Sequence, residues 1–400
     1  MKVYQVNVVC GNGSTGKIAV DIREKVLENG GKCRIAYGRG NAPEGVDSLC
    51  IAKKMDVYYH AFMTRMTGKH GLYSKKATKI LIEDIKQYHP DVIQLHNIHG
   101  YYVNYEMLFQ FLSEYKKPVV WTLHDCWAFT GHCSHFDYVG CEKWQNGCGK
   151  CIQLKEYPSV WLKDNSALNY AKKKELFTSL SDLTIVTVSH WLKSVVDKSF
   201  LSKFPIHTIY NGIDLEKIYP IESDIREKYH LEKKKIVLGV ASNWGEKKGI
   251  DTFCKLAQKV SEDIQIVLIR VPDKIKKSLP DNILCIDNVL SGDDLTKWYS
   301  VADVYVNASV EETMGLTTVE ALACGTPVVV MNATASPELV TKECGIVVEK
   351  DDINALCKAI LDMKKSPEII ENCQERAKEF EKNKQYGEYV ALYQKVLKSE

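Results

Sequence analysis

The stretch Val3-Tyr4-Gln5-Val6-Asn7-Val8-Val9 runs into Gly11-Asn12-Gly13-Ser14-Thr15-Gly16, then into helical spacing from Ile18 to Leu27 and a second apolar run at Cys33–Tyr37. An apolar strand, a Gly-rich loop, a helix and a strand make a β-loop-α-β opening. The theme recurs at Val92–Leu95 after His89-Pro90, at Val119–Leu123 after Pro118, and at Ile185–Val188. These short β-branched runs have the character of buried parallel strands, so the first half reads as doubly wound α/β. Turn residues Tyr210-Asn211-Gly212-Ile213-Asp214 and a charged stretch through Lys235 interrupt the pattern, and Ile236–Val240 restarts it. Further strands are expected at Ile266–Ile269, Ile283–Ile286, Val304–Asn307, Pro327–Val330 and Ile346–Val348, with helix from Pro367 to Leu397 carrying a Tyr386, Tyr389, Tyr393 stripe. The expected fold is α/β: two Rossmann-like doubly wound domains, 1–210 and 211–380, facing across a cleft, with a C-terminal helix at 381–400 packing back on the first domain. Open α/β sheets bind ligands at the carboxyl ends of their strands, so chemistry is expected between the domains.

Composition agrees. At 400 residues the chain is long enough for two domains, and 45% hydrophobic with 26% charged residues is globular usage. Lys+Arg 53 against Asp+Glu 51 leaves a formal charge of +2, which lacks the basic excess of a nucleic-acid binder. No apolar run reaches the roughly 18 residues of a spanning helix, and the first residues read as strand and loop, not as an export signal. The 14 Cys therefore read as reduced thiols and the cytoplasm as the expected compartment.

The most informative segment is Ser309-Val310-Glu311-Glu312-Thr313-Met314-Gly315-Leu316-Thr317-Thr318-Val319-Glu320-Ala321-Leu322-Ala323-Cys324-Gly325-Thr326-Pro327. A strand ends at Asn307, Gly315 permits close backbone approach, Thr317 or Thr318 can cap, and a helix Val319–Cys324 stops at Gly325 and Pro327. Amides at 314–317 would then face an anion such as a diphosphate. Glu312 and Glu320 would splay by about 80° on one helix, so they converge only if Glu312 sits on the loop.

Here the sequence closely resembles the retaining glycosyltransferases of family 4, which have the two-domain GT-B fold. The shared pattern is Glu312-x7-Glu320 followed by Ala321-Leu322-Ala323-Cys324-Gly325-Thr326-Pro327-Val328-Val329, with Tyr210-Asn211-Gly212-Ile213-Asp214 and Lys248-Gly249-Ile250-Asp251 alongside. The resemblance implies a nucleotide-sugar domain in the second half and an acceptor domain in the first. It places Glu312 on donor-sugar hydroxyls, Glu320 on the ribose and Lys248 on the diphosphate, with Met314, Gly315, Leu316 and Val289 also around the donor. Many relatives carry Arg where this chain has Asn243, so charge stabilisation rests on Lys248, with Lys247 or Arg270 as substitutes. The resemblance also makes His124, at the end of the strand Trp121-Thr122-Leu123, an active-site residue beside the donor sugar. Gly13 and Gly16 are implied near the donor phosphate and acceptor.

Gly11-x4-Gly16-Lys17 nearly matches a P-loop, yet Ile18 stands where Ser or Thr should bind magnesium. No Asp-x-Asp flanked by strand residues is present to hold a metal-diphosphate, so no catalytic metal is expected. Cys133, Cys141, Cys148 and Cys151 form C-x7-C-x6-C-x2-C beside glycines, which suits a structural zinc; unliganded thiols, disulfides or an iron–sulfur cluster are the alternatives. Residues 53–79 hold seven Lys/Arg against Asp56 and an apolar stripe of Met55, Tyr58, Tyr59, Phe62, Met63 and Met66. That segment reads either as contact with an anionic membrane or acceptor, or as an amphipathic helix burying its stripe.

The expected activity is retaining transfer of a sugar from a nucleotide-sugar donor to a saccharide or lipid-linked acceptor in surface polysaccharide synthesis, in the cytoplasm or at the inner face of the membrane. A retaining glycosidase using Glu312 and Glu320 is disfavoured by the adjacent phosphate loop. A catalytically silent subunit that binds a sugar nucleotide and regulates a partner is disfavoured by intact His124, Lys248, Glu312 and Glu320.

Overall fold

The computed structural model describes residues 1–241, 243–287 and 292–398. The chain divides into two units, Met1–Tyr210 with Gln385–Glu400, and Asn211–Lys384. The first holds β1 (Lys2–Val9), β2 (Lys32–Arg39), β3 (Ser48–Cys50), β4 (Val92–Leu95), β5 (Val119–Leu123), β6 (Leu183–Thr187) and β7 (Ile206–Thr208), in the order β3-β2-β1-β4-β5-β6-β7. The second holds β8 (Lys235–Val240), β9 (Ile264–Ile269), β10 (Ile283–Ile286), β11 (Val304–Asn307), β12 (Val328–Met331) and β13 (Gly345–Val348), in the order β10-β9-β8-β11-β12-β13. Every pairing is parallel. Central strands such as β4, β5 and β12 are buried along their whole length, as sheets covered on both faces require.

In each sheet the strand order reverses once, at β1/β4 and at β8/β11. Loops leaving these neighbours depart in opposite directions and open a crevice at the carboxyl edge.

Two edge strands lay outside the sequence reading. β3 (Ser-Leu-Cys) and β7 (Ile-His-Thr) are three residues each and half-exposed, so neither carries an apolar run. Helices also begin earlier than their apolar spacing: the first covers Gly13–Glu28 and takes in most of the expected Gly loop.

The C-terminal segment is two helices, Pro367–Lys378 and Lys382–Lys398. The break falls where the backbone pairs with Ile213, which donates to the Phe380 carbonyl at 2.8 Å and accepts from the Lys382 amide at 2.9 Å. Tyr386, Tyr389 and Tyr393 are buried against Val3, Val92, Val120 and Val186 of the first unit. Their burial is accompanied by a polar chain: Tyr393 OH donates to Gln94 Oε1 at 2.9 Å, Gln94 Nε2 donates to Thr122 Oγ1 at 2.9 Å, and Thr122 Oγ1 meets Tyr389 OH at 3.0 Å.

Tyr393→Phe strands a buried acceptor on Gln94 and should cost about 1–3 kcal/mol. Chemical denaturation followed on the first unit is expected to show this loss. Combining it with Tyr389→Phe should give a non-additive total, because both hydroxyls belong to one chain.

Candidate functional site

The second unit places its charged groups where its strand order reverses. After β8 the chain makes a short turn at Glu246–Lys248, and Gly249 starts the helix Ile250–Ala257 at φ +75°. A Cβ on Gly249 would lie 2.4 Å from both the carbonyl oxygen and the Cβ of Ala308. Only glycine lets this turn rest against the chain leaving β11. The Val310 amide donates to the Lys247 carbonyl at 3.0 Å, and two ion pairs follow: Lys247 Nζ–Glu311 Oε2 at 3.2 Å and Lys248 Nζ–Glu312 Oε1 at 2.6 Å. The Glu312 backbone is fixed by Thr334 Oγ1 (2.9 Å) and the Ala335 amide (3.2 Å).

The helix after this loop covers Leu316–Ala323, three residues earlier than expected, and Gly315 at φ +93° is its cap. Thr317 and Thr318 do not cap it. Their hydroxyls accept from Tyr305 OH at 2.8 Å and Asn307 Nδ2 at 3.0 Å, and the cap residue itself, Gly315, has no side chain to offer the helix start. Glu312 lies on the loop and Glu320 on the helix, where Glu320 Oε2 accepts from Tyr299 OH at 2.9 Å. Met314 is buried, and its sulfur accepts the Asn211 amide at 3.1 Å; Leu316 is half-buried. Asn243 is exposed on the loop after β8, and Arg270 is exposed at the end of β9, with its amide on the Ile286 carbonyl at 2.8 Å. Val289 lies outside the described residues.

In the first unit, Gly13 and Gly16 lie in the first turn after β1, with the Gly11 amide on the Gly16 carbonyl at 3.0 Å. His124 follows β5 and joins a buried relay. Gln5 Nε2 donates to the Ala19 carbonyl (2.8 Å) and to Cys33 Sγ (3.2 Å), which assigns Gln5 Oε1 as the acceptor from His96 Nε2 at 2.9 Å. His96 Nδ1 then accepts from His124 Nε2 at 3.1 Å, so His124 Nδ1 carries a lone pair. Burial holds His124 down to about 4 and His96 well below its ordinary value, so both rings are neutral at pH 7. Burial alone would raise Asp125, but His99 at 2.9 Å and the Trp127 amide at 2.8 Å bring it down to about 2. His99 Nδ1 also meets Tyr157 OH at 3.0 Å. His96, His99, His124 and Asp125 line a recess of about 180 Å³. Sequence reading missed Gln5, His96, His99 and Tyr157. His96-Asn97-Ile98-His99 directly after a parallel strand was the available signal.

The helix Lys54–Thr67 turns its apolar stripe outward. Met55, Tyr58, Tyr59 and Phe62 are 75%, 68%, 57% and 51% exposed, whereas His60, Ala61 and Thr64 face inward; Met63 and Met66 are half-buried. Trp161 and Leu162 are exposed beside it, the Trp161 ring 5.6 Å from the Arg65 guanidinium. Lys53, Lys54, Lys69 and Lys163 are also exposed.

Two doubly wound parallel α/β units in one chain are the architecture of the GT-B class. The chain belongs to Glycosyltransferase Family 4, which matches residues 18–217, and residues 234–366 match Glycosyl transferases group 1. It is 26% identical over 377 residues, 88% of each chain, to the Escherichia coli K12 glycosyl transferase WcaC, assigned to colanic acid biosynthesis. Its fold is similar to that of sucrose-phosphate synthase from Thermosynechococcus elongatus (TM-score 0.72, 16% identity, 100% of each chain). It is also similar to Anabaena HepE, solved with UDP-glucose (TM-score 0.66, 15% identity, 98% of this chain and 99% of that one).

The buried imidazoles set an acid limit. Burial lowers His60 to about 3 and His124 and His132 to about 4, with His70 and His96 also well below 6.5. Between those values and 6.5 the unfolded chain binds more protons, so stability falls as pH drops through this window. Each ring removes up to about 1.4 kcal/mol per pH unit. Asp125, depressed from 3.8 to about 2, adds its own loss below that window. Thermal melts from about pH 8 to pH 4 should show the midpoint falling below pH 6.5, less steeply in His124→Asn.

Proposed function

We propose that the enzyme transfers a sugar, with retention of anomeric configuration, from a nucleotide sugar to a saccharide or lipid-linked acceptor in surface polysaccharide synthesis. The observation that carries this reading is the Lys248–Glu312 pair on the loop that leads through Gly315 into the helix Leu316–Ala323. WcaC's assignment to colanic acid and HepE's UDP-glucose complex support the polymer and the donor class. The donor diphosphate takes the Lys248 ammonium and the amides around Met314, Gly315 and Leu316, the sugar diol takes the Glu312 carboxylate, and Glu320 takes the ribose. Without donor, the ammonium and carboxylate neutralise each other. Asn243, Arg270 and Val289 are assigned to the donor side, and Gly13 and Gly16 to the phosphate and acceptor, by family position alone. His124 Nδ1 accepts a sugar hydroxyl, a role its neutral tautomer permits. The leaving diphosphate accepts the acceptor's proton as the sugar becomes oxocarbenium-like, so the protein supplies orientation and charge stabilisation, with no catalytic metal.

Turnover of a panel of nucleotide sugars tests the reading. Glu312→Ala and Lys248→Ala each remove a charge-assisted contact of about 1.5–3 kcal/mol and should slow turnover at least tenfold. NMR of the new linkage should show the donor's anomeric configuration. Wild-type rates in both variants, or an inverted product, would refute it.

The acceptor is proposed to be held at the inner face of a membrane by the outward helix Lys54–Thr67. Its support is the set Met55, Tyr58, Tyr59, Phe62, Trp161 and Leu162 ringed by Lys53, Lys54, Arg65 and Lys69, the composition of an interfacial helix. Among the described residues no helix is long and apolar enough to cross a membrane. Each basic residue near an anionic surface contributes about 1 kcal/mol, screened by salt. Vesicles containing anionic lipid should therefore sediment the protein, and neutral vesicles, high salt or Tyr58→Ser with Phe62→Ser should weaken this. Binding that ignores lipid charge and salt would contradict the assignment.

A further inference from the structure

Between β5 and the helix Ser166–Phe177 the chain makes only two short helical turns, Trp127–Phe129 and Lys143–Gln145. Ordered loops of this length need something besides their own backbone to hold them. Part of the answer is apolar: the Trp144 ring packs on Phe136 at 4.8 Å and Phe129 at 5.4 Å. The rest is a cavity of about 350 Å³ lined by Cys133, Cys141, Cys148 and Cys151, each a free thiol.

Three features around this cavity favour anionic sulfur. The Gly131 amide donates to Cys148 Sγ at 3.1 Å. It can approach so closely because residue 131 lacks a Cβ, which would lie 2.1 Å from the Ser166 carbonyl oxygen and 2.7 Å from Cys148 Cβ. Lys143 lines the cavity and its Nζ donates to the Gly149 and Lys150 carbonyls at 3.2 and 3.1 Å. Lys173 is buried, with Nζ on the Trp127 and Thr130 carbonyls at 2.7 and 3.0 Å. Burial opposes its charge, and the acidic groups that favour the charge are Cys148, then Asp125 and Cys133.

We propose that Cys133, Cys141, Cys148 and Cys151 bind one zinc ion in a closed, structural four-thiolate site. Four soft sulfurs with no carboxylate among them suit zinc, and a fully ligated ion has no open position for catalysis. In binding, Zn²⁺ and four thiols give a tetrathiolate complex of charge −2 and four released protons. The Gly131 amide then serves as a hydrogen-bond donor to a metal thiolate. Among the described residues no three His, Cys, Asp or Glu side chains are gathered as around an ion, so the ion must draw the sulfurs inward from the cavity wall. The same loop carries Tyr157, which bonds His99, so the metal would steady the His99–Asp125 pair as a positioning element.

The test uses full-length protein expressed with zinc and purified without metal-chelate resin. Elemental analysis should find about one zinc per chain, retained in Cys126→Ser and lost in the Cys148→Ser, Cys151→Ser double variant. If that variant fails to fold, wild-type protein stripped of metal and titrated with Co²⁺ gives the answer, through thiolate-to-cobalt absorption, proton release and a raised melting temperature. Wild-type protein carrying under about a tenth of a zinc per chain and giving no cobalt band would overturn the site. So would iron with sulfide, or full zinc in the folded double variant.

Discussion

Paired charges at one strand reversal organise the second unit. Val304 of β11 sits beside Val237 of β8, so the loops leaving these strands start from the same edge. Their acids and bases meet in register, Lys247 with Glu311 and Lys248 with Glu312. The Glu311 side chain is only 3% exposed, and a buried carboxylate stripped of its cation costs about 3–5 kcal/mol. The inner pair therefore holds the loops in place while the outer, more open pair remains available to an incoming ligand. Gly249 is the geometric condition for both, because any Cβ there would push the lysine turn off Ala308.

The first unit solves a different electrostatic problem. Its recess holds two imidazoles kept neutral by burial, His96 and His124, linked with Gln5 in one direction of donation. A neutral imidazole can both donate and accept a hydrogen bond, which is what links these side chains. Asp125 is the exception, and His99 together with the Trp127 amide keeps its charge tolerable.

The core strands were legible in sequence because buried parallel strands are uninterrupted β-branched runs. β3 and β7 were not, since three half-exposed residues with a Ser, a His or a Thr carry no such signal. The Glu312-x7-Glu320 loop was readable down to Glu312 lying off the helix. The cap was misplaced because Thr317 and Thr318, good caps by type, are engaged by Tyr305 and Asn307 from the neighbouring strand. Gln5 and His96 escaped for a related reason: their partners lie on other strands, and no local pattern announces a pairing across 91 positions. The outward stripe of Lys54–Thr67 was equally ambiguous, as periodicity fixes which residues share a face and not which way it points.

That helix is seated by directional bonds more than by apolar burial. His60 meets Ser74 Oγ at 2.7 Å and accepts the Gly71 amide at 3.1 Å, while Asn169 Nδ2 holds the Gly68 carbonyl at 2.8 Å just past the helix end. Its inward side chains are small or polar, so the fold asks little of Met55, Tyr58, Tyr59 or Phe62. Surface chemistry and architecture are thus written on opposite sides of one element. A lineage can exchange four outward residues and acquire a new surface preference while the scaffold beneath stays the same.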